Sequence, residues 1–253
     1  MDDILSAAID AAKAAGEIAL RYFRTNLTVE TKADHTPVTQ ADRECEARIV
    51  ELLSARFSHY GFLGEELGEQ QGRSNTRWII DPIDGTKNFI RGIPFFATLI
   101  ALEEAGEVTA GVMYAPAIDD LLYARKGQGA FANGRRVHVS AVTELHEAML
   151  IHGGLKDLKV RSCWQPFLRL VEVTIRQRGF GDALGHSVVI CGQAEVALEP
   201  EIKPWDVAAT KIIVSEAGGR FSDFSGSPSI YAGSAVISNG YVHEQVLNLL
   251  QGA

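Results

Sequence analysis

Asp81 and Asp84 stand three residues apart in Trp78-Ile79-Ile80-Asp81-Pro82-Ile83-Asp84-Gly85-Thr86-Lys87-Asn88-Phe89. Carboxylate oxygens suit a hard cation such as Mg²⁺. Backbone N–H groups at Gly85 and Thr86, at the start of a helix, suit a phosphate oxygen. One short stretch thus offers places for a metal and for the anion that a metal activates. A solvated Asp-Pro-x-Asp-Gly turn accounts for the same five residues, so the weight falls on acids elsewhere. Asp42, Glu65 and Asp206 complete a carboxylate set with Asp81 and Asp84. Crowded negative charge of that kind needs cations, which points to two or more Mg²⁺ ions.

The elements that must position these acids are readable around them. Trp78–Ile80 is a buried apolar strand that the proline should stop at Asp81-Pro82, with Thr86 as N-cap of a helix from about Lys87. Gly61–Gly64 is a strand ending at Glu65 and Glu66, and 67–75 is a polar surface loop. Thr39-Gln40-Ala41-Asp42 has the form of a capping box opening a helix to about Phe57, and an acid there could serve the helix alone. Trp205-Asp206 opens a helix to Ala217, closed by Gly218-Gly219.

Apolar spacing over residues 2–23 predicts an amphipathic helix. Thr28–Lys32 is a candidate strand, and 34–37 a polar mobile loop. Strands are expected at 96–102, 108–114, 121–124 and 137–140, with Asn133-Gly134 as a hairpin turn. Gly127-Gln128-Gly129 lies among these strands and reads as turn chemistry rather than a dinucleotide loop. Beyond residue 140 the types alternate: strand 148–152, helix 164–178, helix around 188–190, strand 195–198, strand 234–238 and helix 242–250. The whole reads as one layered α/β domain over 1–253, with subdomains of about 1–140 and 141–253.

Other chemistries lack their residues. There is no Gly-x-Ser-x-Gly elbow, Walker loop, His-Glu-x-x-His or cysteine zinc pattern. A formal charge of −8 leaves no footprint for nucleic acid, and no apolar run approaches the roughly 20 residues of a membrane span. The acidic N-terminus is unlike a targeting segment, and three scattered cysteines fit reduced thiols in the cytoplasm.

Together, Gly64-Glu65-Glu66, Asp81-Pro82-Ile83-Asp84-Gly85-Thr86 and Trp205-Asp206-Val207-Ala208-Ala209 resemble the inositol monophosphatase superfamily of Mg²⁺-dependent, lithium-sensitive phosphatases. The resemblance implies an αβαβα sandwich, usually a homodimer, acting on a small-molecule phosphate ester. It implies that Glu65, Asp81 and the Ile83 carbonyl hold one Mg²⁺, that Asp81, Asp84 and Asp206 hold a second, and that a third shares Glu65. By the same resemblance Asp42 and Thr86 orient and help deprotonate the attacking water, and Gly85 and Thr86 bind phosphate through their N–H groups.

Within the superfamily, Gly85-Thr86-Lys87-Asn88-Phe89-Ile90-Arg91-Gly92 resembles the histidinol-phosphate phosphatases of histidine biosynthesis. Lys87 and Arg91 belong to that match, and Glu199 corresponds to an acid that contacts substrate in the family. Asp182 beside Glu199 would make a pocket anionic, which suits an amino alcohol better than a neutral polyol. Asp182 could instead cap the following helix. An inositol or broader sugar-phosphate phosphatase is the alternative enzyme. A non-catalytic partner in a transcription complex is a third reading, weakened by the complete ligand set.

Overall fold

The computed structural model describes residues 2–31, 37–161 and 163–252. The first helix, α1 (Asp3–Tyr22), starts at Asp2, whose carboxylate accepts the Leu5 N–H at 2.8 Å. Strands β1 (Val29–Thr31) and β2 (Pro37–Thr39) form an antiparallel ribbon leading into α2 (Gln40–Arg56). Of the loop expected at 34–37, residues 34–36 lie outside the described residues, and Pro37 belongs to β2.

The strands β3 (Gly61–Gly64), β4 (Gly68–Gln70) and β5 (Thr76–Asp84) follow, then the short helix α3 (Thr86–Ile90). A meander of β6 (Ala97–Glu104), β7 (Glu107–Ala115), β8 (Asp120–Arg125), β9 (Gly129–Ala132) and β10 (Arg135–Val137) completes an eight-stranded sheet. Its order is β10-β9-β8-β7-β6-β5-β3-β4, and β3 with β5 is its parallel pair. Side chains alternate across it with period two. Ile80, Ile100, Leu102 and Val112 bury against α1 and α2, while Ile79, Leu99, Ala101 and Met113 face the opposite way.

The second half contributes β11 (Met149–His152), α4 (Leu155–Val160), α5 (Trp164–Val173), β12 (Arg176–Arg178), α6 (Asp182–Ile190) and β13 (Val196–Glu199). It ends with α7 (Pro204–Glu216), β14 (Arg220–Ser222), β15 (Ala235–Ser238) and α8 (His243–Gln251). These strands form a five-stranded sheet ordered β12-β11-β13-β15-β14. Helices α6 and α7 fill the space between the two sheets, where Ile151, Ala197 and Ile237 meet Ile79 and Leu99 in one core. Leu150, Leu198 and Val236 face outward onto α4, α5 and α8. The layers are therefore α, β, α, β, α, as the resemblance implied.

Several local expectations need correction. β5 does not stop at Asp81-Pro82 but runs to Asp84 through a bulge. Thr86 is the first helical residue of α3, and its N-cap is Gly85. The loop at 67–75 contains edge strand β4, and the strand expected at 137–140 lies at Arg135–Val137. The helix expected over 164–178 ends at Val173, and residues 176–178 form β12. There Thr174 turns extended, and the Gln177 amide donates to the Val171 and Thr174 carbonyls that a continuing helix would have used.

Candidate active site

The bulge in β5 explains how two acids three apart serve one site. In a regular strand, residues 81 and 84 would point to opposite faces. Here Asp81 pairs with Leu99 and Asp84 with Ala97, so two residues of β5 oppose Thr98 alone. The extra residue returns Asp84 to the face of Asp81 and leaves Ile83 in the core under α1 and α2. Pro82 sits where the ladder lacks a rung, so its missing N–H costs no bond, and its carbonyl accepts the Thr98 hydroxyl at 2.9 Å.

From the middle layer, α7 presents Asp206 to the same place. Pro204 opens the helix, and the Asp206 carboxylate accepts the Lys203 N–H at 2.7 Å. Asp81, Asp84 and Asp206 each bring one carboxylate oxygen within 4.8 Å of the others. Each also accepts one backbone N–H: Ile83 to Asp81 at 3.1 Å, Ala183 to Asp84 at 2.7 Å, and Lys203 to Asp206. Burial, reinforced by neighbouring carboxylates, drives Asp81 and Asp84 well above the usual carboxylate range. Burial raises Asp206 to about 7. An all-oxygen cluster that resists ionisation by itself fits a hard divalent cation, which would hold all three charged.

Glu65 follows β3, the parallel neighbour of β5, and its N–H donates to the Ile80 carbonyl at 3.2 Å. Its charge acts on Asp42, Asp81 and Asp206, which places it at the rim of the cluster. Asp42 both caps α2 and reaches the site. Its Oδ2 accepts the Thr39 N–H at 2.7 Å and the Thr39 hydroxyl at 2.6 Å, while its Oδ1 lies 3.5 Å from the Thr86 hydroxyl. Burial raises the Asp42 carboxyl despite those bonds. The Thr86 hydroxyl donates to the Ile83 carbonyl at 3.0 Å. Gly85 has φ of +81°, and a Cβ there would lie 2.9 Å from the Phe95 carbonyl, so glycine is required twice over.

The second half brings Asp182 and Glu199 to the same turn. Gly181 is the N-cap of α6 with no side-chain cap, and Asp182 itself has φ of +51°. The Asp182 carboxylate faces α3, where the Asn88 amide donates to Oδ2 at 3.4 Å. Burial, then the charge of Glu199, pushes Asp182 up to about 6, with Lys87 opposing. Glu199 ends β13 and is buried. Lys87 is exposed but close enough to act on Asp182; Arg91, exposed at the far end of α3, is not among the charges that do.

Two residues escape a reading of the sequence. Glu46 lies one turn after Asp42 on α2, fully buried, and its carboxylate accepts the N–H groups of Glu66 and Leu67 at 2.8 and 3.0 Å. His186 lies one turn after Asp182 on α6 and is equally buried. Spacing of four from an acid already singled out was the available signal in both cases.

Comparison with known proteins gives the chain its family. The profile of the inositol monophosphatase family matches residues 1–253. A histidinol-phosphatase of Mycobacterium tuberculosis is 41% identical, with 98% of each chain covered. Another, from Chlorobaculum parvum, is 42% identical over 92% of this chain and 91% of its own. The crystal structure of the extragenic suppressor protein suhB from Bartonella henselae superposes with a TM-score of 0.93 at 34% identity, covering 99% of both chains. The family match runs along residues 1–253, and the chain belongs to the inositol monophosphatase family.

Proposed function

We propose that this chain is a Mg²⁺-dependent histidinol-phosphate phosphatase, converting L-histidinol phosphate and water to L-histidinol and phosphate. The convergence of Asp81, Asp84 and Asp206 supports the hydrolytic half of this reading. Asp182 facing the Gly85 turn beside Glu199 supports the substrate.

Glu65, Asp81 and the Ile83 carbonyl would hold one ion, Asp81, Asp84 and Asp206 a second, with a third sharing Glu65. Magnesium bound there supplies positive charge to the phosphoryl oxygens and lowers the pKa of water. The chain's own residues do the rest. The Thr86 hydroxyl has two acceptors, the Ile83 carbonyl at 3.0 Å and Asp42 Oδ1 at 3.5 Å. When its O–H donates to Asp42 instead, the Thr86 oxygen accepts a hydrogen bond from water, takes the water proton and passes its own proton to Asp42. The N–H groups of Gly85 and Thr86 bind the phosphate. Asp182 and Glu199, with Lys87 and Arg91 from α3 and its end, select the leaving alcohol, and the two acids pair with its ammonium.

The protein works as a cytoplasmic homodimer in this reading. Cys45, Cys163 and Cys191 are free thiols, and no described helix is long and apolar enough to cross a membrane. Exposed Phe95 and Ile118 line an apolar cleft with Leu184, a surface suited to a second copy.

Phosphate release from histidinol phosphate, inositol 1-phosphate and fructose 1,6-bisphosphate, with and without Mg²⁺ and with added Li⁺, tests the assignment. Histidinol phosphate should show the highest kcat/KM, abolished by chelation and lowered by lithium. A preference for inositol phosphate makes the chain an inositol monophosphatase instead.

A further inference from the structure

Behind Glu199 stands a group with no part in the reaction above. His186 is 1% exposed, and its Nδ1 lies 2.9 Å from the hydroxyl of Thr210, a fully buried residue of α7. Its Nε2 faces Glu199 Oε1 at 3.6 Å. Both atoms are buried and without a hydrogen-bond partner. A buried donor or acceptor left unpaired costs about 1–3 kcal/mol, so two such atoms confronting each other form a bond with only a small closing movement. The other side of the carboxylate is walled by backbone. A Cβ on Gly153 would lie 2.1 Å from Glu199 Oε2, and one on Gly181 would lie 3.9 Å from Oε1. Glycine at 153 thus makes room for the carboxylate, and His186 is the polar side chain facing its Oε1.

We propose that His186 is a positioning residue that acts through Glu199: the Thr210 hydroxyl donates to Nδ1, which places the ring proton on Nε2, and Nε2–H donates to Glu199 Oε1. The proton arrangement matters. With the proton on Nδ1, a lone pair would face the carboxylate and repel it. With both nitrogens protonated, the imidazolium would cancel the charge that Glu199 offers to a cationic alcohol. A neutral imidazole fixed by Thr210 aims the carboxylate and leaves its charge intact. The inference rests on Glu199 touching the substrate, as proposed above.

The test is a double-mutant cycle on the best ester of the panel, whichever that proves to be. His186→Leu should raise KM about tenfold with kcat nearly unchanged, within the coupling expected inside one hydrogen-bond network. His186→Gln, whose amide can reach the Nε2 position, should recover most of the loss. Thr210→Val, of similar shape, should reproduce part of it. In a Glu199→Gln background His186→Leu should add nothing, and p-nitrophenyl phosphate, whose leaving group has no hydrogen-bond donor or cation for Glu199, should be hydrolysed at the parental rate by His186→Leu. An equal loss in the Glu199→Gln background, or a fall in kcat on every ester, makes His186 a packing residue and overturns the inference. A wild-type preference for inositol phosphate would sink the substrate assignment while leaving the cycle to decide the role of His186.

Discussion

Two sets of buried carboxylates sit within the first sheet and its helices, and they are buried for different purposes. Glu46 is fully enclosed, yet each of its oxygens accepts a backbone N–H, from Glu66 and Leu67. Gly64 packs so closely that a Cβ there would lie 1.8 Å from Glu46 Oε1. Asp81, Asp84 and Asp206 accept one backbone N–H each, and one carboxylate oxygen of each lies within 4.8 Å of the others. Burial raises the carboxyl in both sets: Glu46 and Asp206 each stand at about 7. A raised pKa therefore does not separate a structural acid from a site acid. What separates them is where the oxygens point: into peptide N–H groups for Glu46, into one another for the aspartates.

The comparison breaks most visibly at Asp81. Asp81→Asn should lower kcat/KM by ~10³-fold, beyond the 10–100-fold typical of an outer-shell partner. The same change should raise Tm in Mg²⁺-free buffer, because a carboxyl held well above the carboxylate range takes up a proton on folding at a cost in stability, and the amide does not. Thermal melts with and without Mg²⁺ read both effects, and a lower Tm together with normal turnover would return Asp81 to the structural class.

A smaller loss is expected at Asp182, whose proposed partner is the substrate rather than a metal. Asp182→Asn should cost about 2 kcal/mol, roughly 30-fold in kcat/KM, with histidinol phosphate and leave any activity on inositol phosphate intact. Equal losses on both esters would mean that Asp182 serves the fold.

Glu46→Gln should behave in the opposite sense to Asp81→Asn. The amide can accept only one of the two N–H groups and turns its own NH₂ toward the other, at a cost of about 1–3 kcal/mol in stability. Urea unfolding should show the loss with or without Mg²⁺, and an unchanged midpoint would remove Glu46 from the structural class.

The smallest effect extends the comparison to a base. His243 is fully buried between the Ser222 and Ser238 hydroxyls, at 2.9 and 2.8 Å, and burial lowers it to about 4. A histidine depressed in the folded state binds its proton more readily when unfolded. Its contribution is thus fully present above the ordinary histidine range and is lost as pH falls toward 4. Between about pH 7 and pH 5.5 the cost should be about 1 kcal/mol. Unfolding curves of His243→Asn should show a flatter dependence over that interval, and an identical slope would mean another group titrates.

The parts of this molecule that were legible in its sequence are those written locally. The Thr39 capping box, the apolar Trp78–Ile80 run, the Asn133-Gly134 hairpin and the first turn of α7 around Asp206 are each short-range signals, and the structure forms all of them. Four of the five candidate acids border those elements, and Glu65 follows the equally local Gly61–Gly64 strand. The bulge at Pro82 was not legible, since only pairing with β6 shows that the strand continues past the proline. Nor was the end of α5, where the apolar pattern runs on but β12 pairs with β11 at the sheet edge. Glu46 and His186 have their partners in other elements, and such contacts exist only after packing.

The placement of Asp182, Glu199 and Gly153 around the second sheet has a consequence for descent. Asp182 and Glu199, which would choose an alcohol, and Gly153, which makes room for Glu199, lie on α6, β13 and the turn after β11, whereas β5, α2 and the end of β3 position four of the five candidate site acids. A duplicated gene can therefore explore new substrates through substitutions in the former elements while its hydrolytic apparatus is inherited untouched. One exchange is constrained in its order. Any side chain at position 153 collides with Glu199, so a lineage abandoning the acidic pocket must first shorten residue 199 and only then replace the glycine.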